Sequence, residues 1–305
     1  MRFPKGGGWN SLLDKLWHFW RMYIGIAVSG LKSTKTGDTL ITWQVFVGVI
    51  VGLLIRIFKL RRKLIILSFI YKPRKNWLVN RLRFLITRMG LRAASKVVCY
   101  SSSEERAYSQ LFSLPDTEFC FVPLGKTFVA EVSASLLADD ATLFAAGQSN
   151  RDYQTLLDAM ANVDAKLTIA TTNQVIVPDY LADRINVEPL EGVDFRMRMA
   201  TSSLVILPLE DTGYSSGQIV LINAMAQSRC VIMTQSTWSS DYVIHGRDVW
   251  LVPPKDSNAL AEAIRALLND PIRREHIGHH ARECYDKSFN GARFGERIAQ
   301  IAKGV

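Results

Sequence analysis

Short apolar, β-branched runs alternate with helix-patterned stretches along nearly the whole chain, and this alternation limits the fold to parallel α/β sheets. Residues 39–42, 63–69, 96–100 and 119–123 read as strands. Helical patterns fill 45–58 and 77–89, and a third helix starts at Glu104, where Ser101, Ser102 and Ser103 can cap it. Residues 126–140, with the pair Asp139-Asp140, break the pattern. It then restarts with strands at 142–146, 166–171, 186–188, 204–209, 230–234 and 249–252, and helices at 153–161, 193–200, 218–226 and 257–268. A polar helical tail runs from Pro271 to Val305. Two α/β domains in series, closed by a long C-terminal helix, account for this order.

Charge divides the chain in the same place. Residues 1–125 hold 20 Lys and Arg against 6 Asp and Glu, while residues 126–305 hold 17 against 22. A basic half suits either nucleic acid or an anionic membrane. Trp9, Trp17, Trp20, Trp43 and Trp77 all lie in it, near clusters such as Lys59-Leu60-Arg61-Arg62-Lys63. Interfacial tryptophan beside cations favours the membrane surface, and no zinc-finger spacing, aromatic RNA-binding strand or basic heptad supports nucleic acid. Residues 9–27 form an amphipathic pattern through Trp9, Leu12, Leu13, Leu16, Trp20, Tyr23 and Ala27, capped by Asn10 or Ser11. This helix can lie in a lipid interface or cover one face of the first domain.

The most apolar run, 45–55, has no charge but falls short of the roughly 20 residues a bilayer requires. Its length favours a buried helix over a membrane span. The opening Met1-Arg2-Phe3-Pro4-Lys5 does not read as an export signal. Cys99, Cys120, Cys230 and Cys284 form no CxxC pair and suit reduced thiols in a cytosolic protein.

The chemistry concentrates at 209–254. A strand ends in Leu-Glu-Asp-Thr-Gly-Tyr-Ser-Ser-Gly-Gln, and a helix starts near Ser216-Gly217-Gln218. Backbone N–H groups at such a helix start are free and the helix dipole favours anions, while small residues let a diphosphate approach. Tyr214 can stack on, or hydrogen-bond to, what the phosphate carries. In an open α/β sheet this loop sits at the carboxyl ends of the strands, where ligands bind.

Several blocks now carry a resemblance. Asn223-Ala-Met-Ala, Val-Ile-Met-Thr at 231–234, Asp241 to Gly246, Leu-Val-Pro-Pro at 251–254, Asn258-Ala-Leu-Ala-Glu-Ala-Ile and Leu267-Leu-Asn-Asp follow the order seen in GT-B glycosyltransferases of group 1, the family-four-like nucleotide-sugar transferases. The resemblance covers about residues 141–300. Ser101-Ser-Ser-Glu-Glu-Arg and Phe121-Val-Pro-Leu-Gly resemble the end of that family's N-terminal domain, whereas the first hundred residues match only in element pattern.

The resemblance implies a GT-B fold: two Rossmann-like domains facing a cleft. The N-terminal domain, 1–126, would face acceptor and membrane; 127–290 would bind the nucleotide-sugar; and the helix 291–305 would return to the first domain. It implies that the loop Gly147-Gln148-Ser149-Asn150-Arg151-Asp152 faces the leaving diphosphate. Gln148 stands at a position that is usually Arg, which leaves Arg151 as the cation and catalytic candidate. Gly147, Ser149, Asn150, Tyr214, Ser215, Ser216, Gly217 and Gln218 join it as donor-binding candidates.

The family's paired glutamates fall at Ser215 and Asn223; Asn223 can still bond a ribose, while Ser215 lacks a charge. Glu210 and Asp211 lie upstream and are candidate substitutes, out of register. Gly6-Gly7-Gly8 is a poor match to the family's acceptor loop, and the first domain reads as short. His18 and Asp38 are the early candidates for an acceptor base. His276, His279 and His280 read as surface residues, with no carboxylate at ligand spacing and no metal expected.

The resemblance therefore implies a bacterial-type hexosyltransferase, retaining as in the family, without a cofactor beyond its nucleotide-sugar substrate. Its acceptor would be lipid-linked or a polysaccharide, and it would sit peripherally on the cytoplasmic face of the inner membrane, on anionic lipid and away from nucleic acid. The alternative is a non-catalytic transferase-like scaffold or partner subunit.

Overall fold

The computed structural model describes residues 12–127 and 141–304. Gly6-Gly7-Gly8, Trp9, the caps at Asn10 and Ser11, and Asp139-Asp140 lie outside the described residues. The chain divides into two compact units. Of the described residues, one comprises 12–100, 105–121 and 299–304; the other comprises 101–104, 122–127 and 141–298.

The first unit holds a parallel sheet of β1 (Thr39–Thr42), β2 (Lys63–Ile66), β3 (Lys96–Cys99) and β4 (Glu118–Phe121), in that order. Each strand is short and apolar because its helical crossover covers it. The crossovers are α2 (Val45–Ile57), α3 (Trp77–Leu91) and α4 (Ser102–Phe112), preceded by α1 (Leu12–Lys32). Phe69, Phe112 and Phe119 fill the core beside Leu64, Ile66 and Val97. Phe112 stacks on Phe119 with ring centroids 5.9 Å apart.

Helix α2 is a buried helix, as its length suggests. Its 13 residues rise about 20 Å, well short of a hydrocarbon core of about 30 Å. No helix among the described residues is long and apolar enough to cross a membrane. It packs on α1 and α3, and glycine sets the second contact. A Cβ on Gly52 would lie 2.1 Å from the Gly90 carbonyl oxygen, and one on Gly90 would lie 2.6 Å from that of Val49.

Helix α1 uses only part of the expected stripe. Ala27 is buried and Tyr23 packs on the core and meets Phe46, but Trp20 is exposed. The packed face follows the four-residue step Tyr23, Ala27, Leu31, which leaves Trp17, Trp20 and Ile24 outward.

The second unit holds a six-stranded parallel sheet in the order β10-β9-β8-β5-β6-β7. The strands are β5 (Thr142–Ala146), β6 (Lys166–Ala170), β7 (Ile185–Glu188), β8 (Leu204–Leu207), β9 (Val231–Thr234) and β10 (Trp250–Val252). Its helices are α5 (Tyr153–Met160), α6 (Gly192–Ala200), α7 (Gln218–Ala226), α8 (Ser257–Leu268), α9 (Pro271–Cys284) and α10 (Gly291–Lys303). The chain builds outward from β5 to β6 and β7, then returns to β5's other side with β8. The strand order thus reverses between β5 and β8, and the loops after these two strands flank the switch point.

The tail is not one helix. A π-helical turn, Tyr285–Phe289, follows α9, and Asn290 is extended. Phe289 explains the break: its carbonyl accepts the Lys126 N–H at 2.9 Å and its ring stacks on Tyr242 at 5.1 Å. Asn290 then caps α10 by accepting the Arg293 N–H.

Candidate donor-binding site

The two loops singled out in the sequence meet at the switch point. An antiparallel bridge joins Arg151 to Leu209. The Glu210 N–H donates to the Asn150 carbonyl at 3.1 Å, and the Asn150 side chain donates to Thr212 Oγ1 at 3.1 Å. Gly147, Ser149, Asn150 and Arg151 are thereby held against the segment leading to Tyr214, Ser215, Ser216 and Gly217.

Gly147 begins the first loop with φ +122°, a conformation open to glycine. Its carbonyl accepts from Tyr153 at 2.6 Å and from Thr171 at 3.0 Å. Arg151 folds back on its own loop, donating from Nε to the Ala146 carbonyl at 2.8 Å and from Nη1 to that of Ser149 at 2.7 Å. Burial holds the guanidinium below its ordinary pKa, opposed by Tyr153. The expected diphosphate cation is thus a brace for the loop in this structure. Ser149 is exposed and Asn150 half-buried, with φ +53°.

Helix α7 starts at Gln218 with Gly217 as N-cap at φ +92°. No side chain among the described residues caps it, so its first-turn N–H groups keep their capacity for an anion. The left-handed φ disfavours any other residue at Gly217, and a Cβ there would also press on Leu209 and Leu207 at 3.1–3.3 Å. The Gln218 side chain is buried, and its Nε2 has no hydrogen-bond partner among the described residues. A buried amide donor of this kind calls for an acceptor.

Asn223 is buried one helical stretch further on, and its Oδ1 accepts from Lys126 Nζ at 3.2 Å. Its Nδ2 group is left to donate. Burial, with the Arg196 charge as second cause, holds the Lys126 ammonium below the ordinary lysine range. The Arg196 charge is thus in electrostatic reach of Lys126, and an anion beside the lysine would offset its cost.

Glu210 and Asp211 are exposed and do not serve Ser215. Ser215 instead meets Glu104: its N–H donates to Oε1 at 2.9 Å and its hydroxyl to Oε2 at 2.8 Å. Both residues are buried. Glu104, Lys126 and Arg196 are polar residues that sequence reading missed. Glu104 lay inside a noted block as a helix start, and Lys126 one residue beyond another, with no local pattern marking either.

Among the remaining candidates, Asp38 accepts the Lys35 N–H at 2.6 Å and shapes the turn before β1, while His18 is exposed on α1. The histidine reading needs correction. His279 and His280 lie 3.4 and 3.2 Å from the Glu283 carboxylate, which does sit at helical spacing. All three are exposed.

The family model described as Glycosyl transferases group 1 matches residues 129–270. The capsular polysaccharide biosynthesis glycosyltransferase CapM of Staphylococcus aureus is 28% identical over 137 residues, a match covering 44% of this chain and 35% of CapM. The aligned part thus spans about a third of that relative's length.

Two solved structures share the fold across nearly all of the chain. Sucrose-phosphate synthase from Thermosynechococcus elongatus has a TM-score of 0.72 at 19% identity, covering 95% of this chain and 79% of the other. HepE of Anabaena, solved with UDP, has a TM-score of 0.71 at 16% identity, covering 93% and 82%. This chain has the GT-B fold, and its residues 129–270 match the family model of the group 1 glycosyl transferases.

Proposed function

We propose that the chain transfers a hexosyl group from a nucleotide-sugar to a lipid-linked or polysaccharide acceptor, in cell-surface polysaccharide synthesis at the cytoplasmic membrane face. The observation that carries this reading is the uncapped start of α7 at the sheet's switch point, with the buried, partnerless Gln218 amide beside it. First-turn N–H groups take the diphosphate, and the Asn223 amide takes a ribose hydroxyl. Lys126, with the Arg196 charge in reach of it, adds positive charge at Asn223, where it steadies the charge that grows on the leaving group. Arg151 holds the glycine loop in shape. HepE, crystallised with UDP and with UDP-glucose, supports the donor class, and CapM, a capsular polysaccharide biosynthesis glycosyltransferase, supports the polysaccharide part of the reading. The family pattern leads us to propose a retaining outcome.

The first unit supports the membrane part of the reading. Trp77, Leu78, Leu82, Leu85, Ile86 and Met89 on α3 are exposed, and recur largely at three- and four-residue steps. Exposed cations Lys72, Arg74, Lys75 and Arg81 stand close to them in sequence. An apolar stripe flanked by cations suits an anionic lipid surface.

Ser215 and Asn223, in place of two carboxylates, favour the second reading, a non-catalytic partner of a transferase. Turnover separates the two. Incubation with UDP- and GDP-sugars and membranes carrying lipid-linked acceptors gives labelled product and free nucleoside diphosphate if the first reading holds. Binding without any product gives the second.

A further inference from the structure

Glu104 is 1% exposed, yet among the described residues its carboxylate takes hydrogen bonds from Ser215 alone. A buried carboxylate without a cation is costly to keep. Its position is fixed independently of Ser215. The Glu104 N–H donates to the buried Ser101 Oγ at 3.1 Å, and the Ser102 N–H donates to Asp241 Oδ2 at 2.8 Å. Residues 101–104 belong with the second unit, as do Ser215 and Asp241.

A carboxylate only accepts hydrogen bonds. Ser215 has two protons to give, on its N–H and its hydroxyl, and Glu104 takes both. What Ser215 then offers a ligand is its lone pairs. It can accept from a hydroxyl and cannot donate to one. Ser215 stands two residues before the Gly217 cap, and Asn223 lies beyond the first turn of α7. The two flank the phosphate-binding N–H groups in the chain, as sugar and nucleoside flank a diphosphate.

We propose that Glu104 is a positioning residue that fixes Ser215 as a pure hydrogen-bond acceptor for a hydroxyl of the donor sugar. This rests on the donor-site reading above. The consequence is a selectivity: the site recognises a sugar hydroxyl that donates, and not a fluorine or a missing group at the same carbon.

The isosteric variant Glu104→Gln tests it. An amide nitrogen can donate to Ser215 Oγ, which turns the hydroxyl proton toward the ligand and reverses its polarity there. Full-length wild type and variant are titrated with UDP-glucose, UDP-galactose, UDP-N-acetylglucosamine and GDP-mannose, and with UDP and GDP alone. The expected result is that the bound nucleotide-sugar loses about tenfold in affinity while its parent diphosphate loses less than about twofold, with the thermal midpoint nearly kept.

Equal losses for sugar nucleotide and diphosphate would mark Glu104 as a loop brace only, and no loss for either would remove it from the site; both overturn the proposal and leave the donor reading intact. A folded wild type that binds none of the six compounds overturns the donor reading itself, and this proposal with it. Should Glu104→Gln not fold, Ser215→Ala gives the same comparison. It is expected to lose affinity for the sugar nucleotide and not for the diphosphate, and the opposite result counts against the proposal.

Discussion

Arg151 makes two bonds to loop carbonyls, and its role follows from them. Its guanidinium reaches the carbonyls of Ala146 and Ser149 at once, a span that suits a planar fork and not a lysine's point charge. Arg151→Ala is expected to lower stability by about 1–2 kcal/mol, because the partly buried Ala146 carbonyl loses its donor and the exposed Ser149 carbonyl loses its loop contact. Arg151→Lys should recover only part. Denaturant melts of the three proteins check this, and an unchanged midpoint in Arg151→Ala would contradict the bracing role. The cysteines make a second residue-scale prediction. Burial pushes Cys120 and Cys284 up to about 11 and Cys230 up to about 12. Thiolate is the reactive form, so a thiol reagent at pH 8 should label these three far more slowly in the folded protein than in denaturant. At this scale the sequence marked the two loops that meet at the switch point and gave no sign that Arg151 bonds its own loop carbonyls. Arg151 was legible as a charge beside a glycine, but a side chain that folds back on its own loop has no signature in residue order. Glu104 lies over a hundred positions from Ser215, and no local pattern joins them.

Among the elements, the α2–α3 contact is the most exacting. Gly52 and Gly90 let the two backbones approach until a single methyl would meet a carbonyl oxygen. Gly52→Ala should destabilise by about 1–3 kcal/mol through forced separation of the helices. Without the clash the same change would help, since alanine favours helix over glycine. A raised thermal midpoint would therefore show that the contact is looser than described. Strand and helix positions were readable because each strand is a short apolar run between helices of clear period. Residues 39–42, 142–146, 218–226 and 257–268 show this most plainly. The tail was not readable: its polar pattern continues through 285–290, while the break there comes from distant contacts with Lys126 and Tyr242. On α1, Trp20 fitted the apolar stripe but ended outside, because periodicity gives a face and does not say what covers it.

For the whole molecule, the two charge regimes imply two environments. The basic first half and the exposed α3 stripe predict binding to vesicles containing anionic lipid, weakening as salt rises. Replacing Leu82 and Ile86 with Glu should reduce vesicle flotation without altering nucleotide affinity. Undiminished flotation would place the lipid contact elsewhere or nowhere. Parallel α/β architecture was legible throughout, and the switch point followed once the order β8-β5-β6 was known; strand order itself is a long-range property that alternation does not encode.

The central claim is that the start of α7 binds the diphosphate of a nucleotide-sugar. Calorimetric titration of the wild type and of Gly217→Val with UDP, GDP and their sugar conjugates tests it most directly. The account predicts that the wild type binds one nucleotide class, and that valine, strained at φ +92° and pressed against Leu207 and Leu209, abolishes that binding in a variant that circular dichroism shows to be folded. Equal affinity in both proteins, or no binding by the folded wild type, would contradict it.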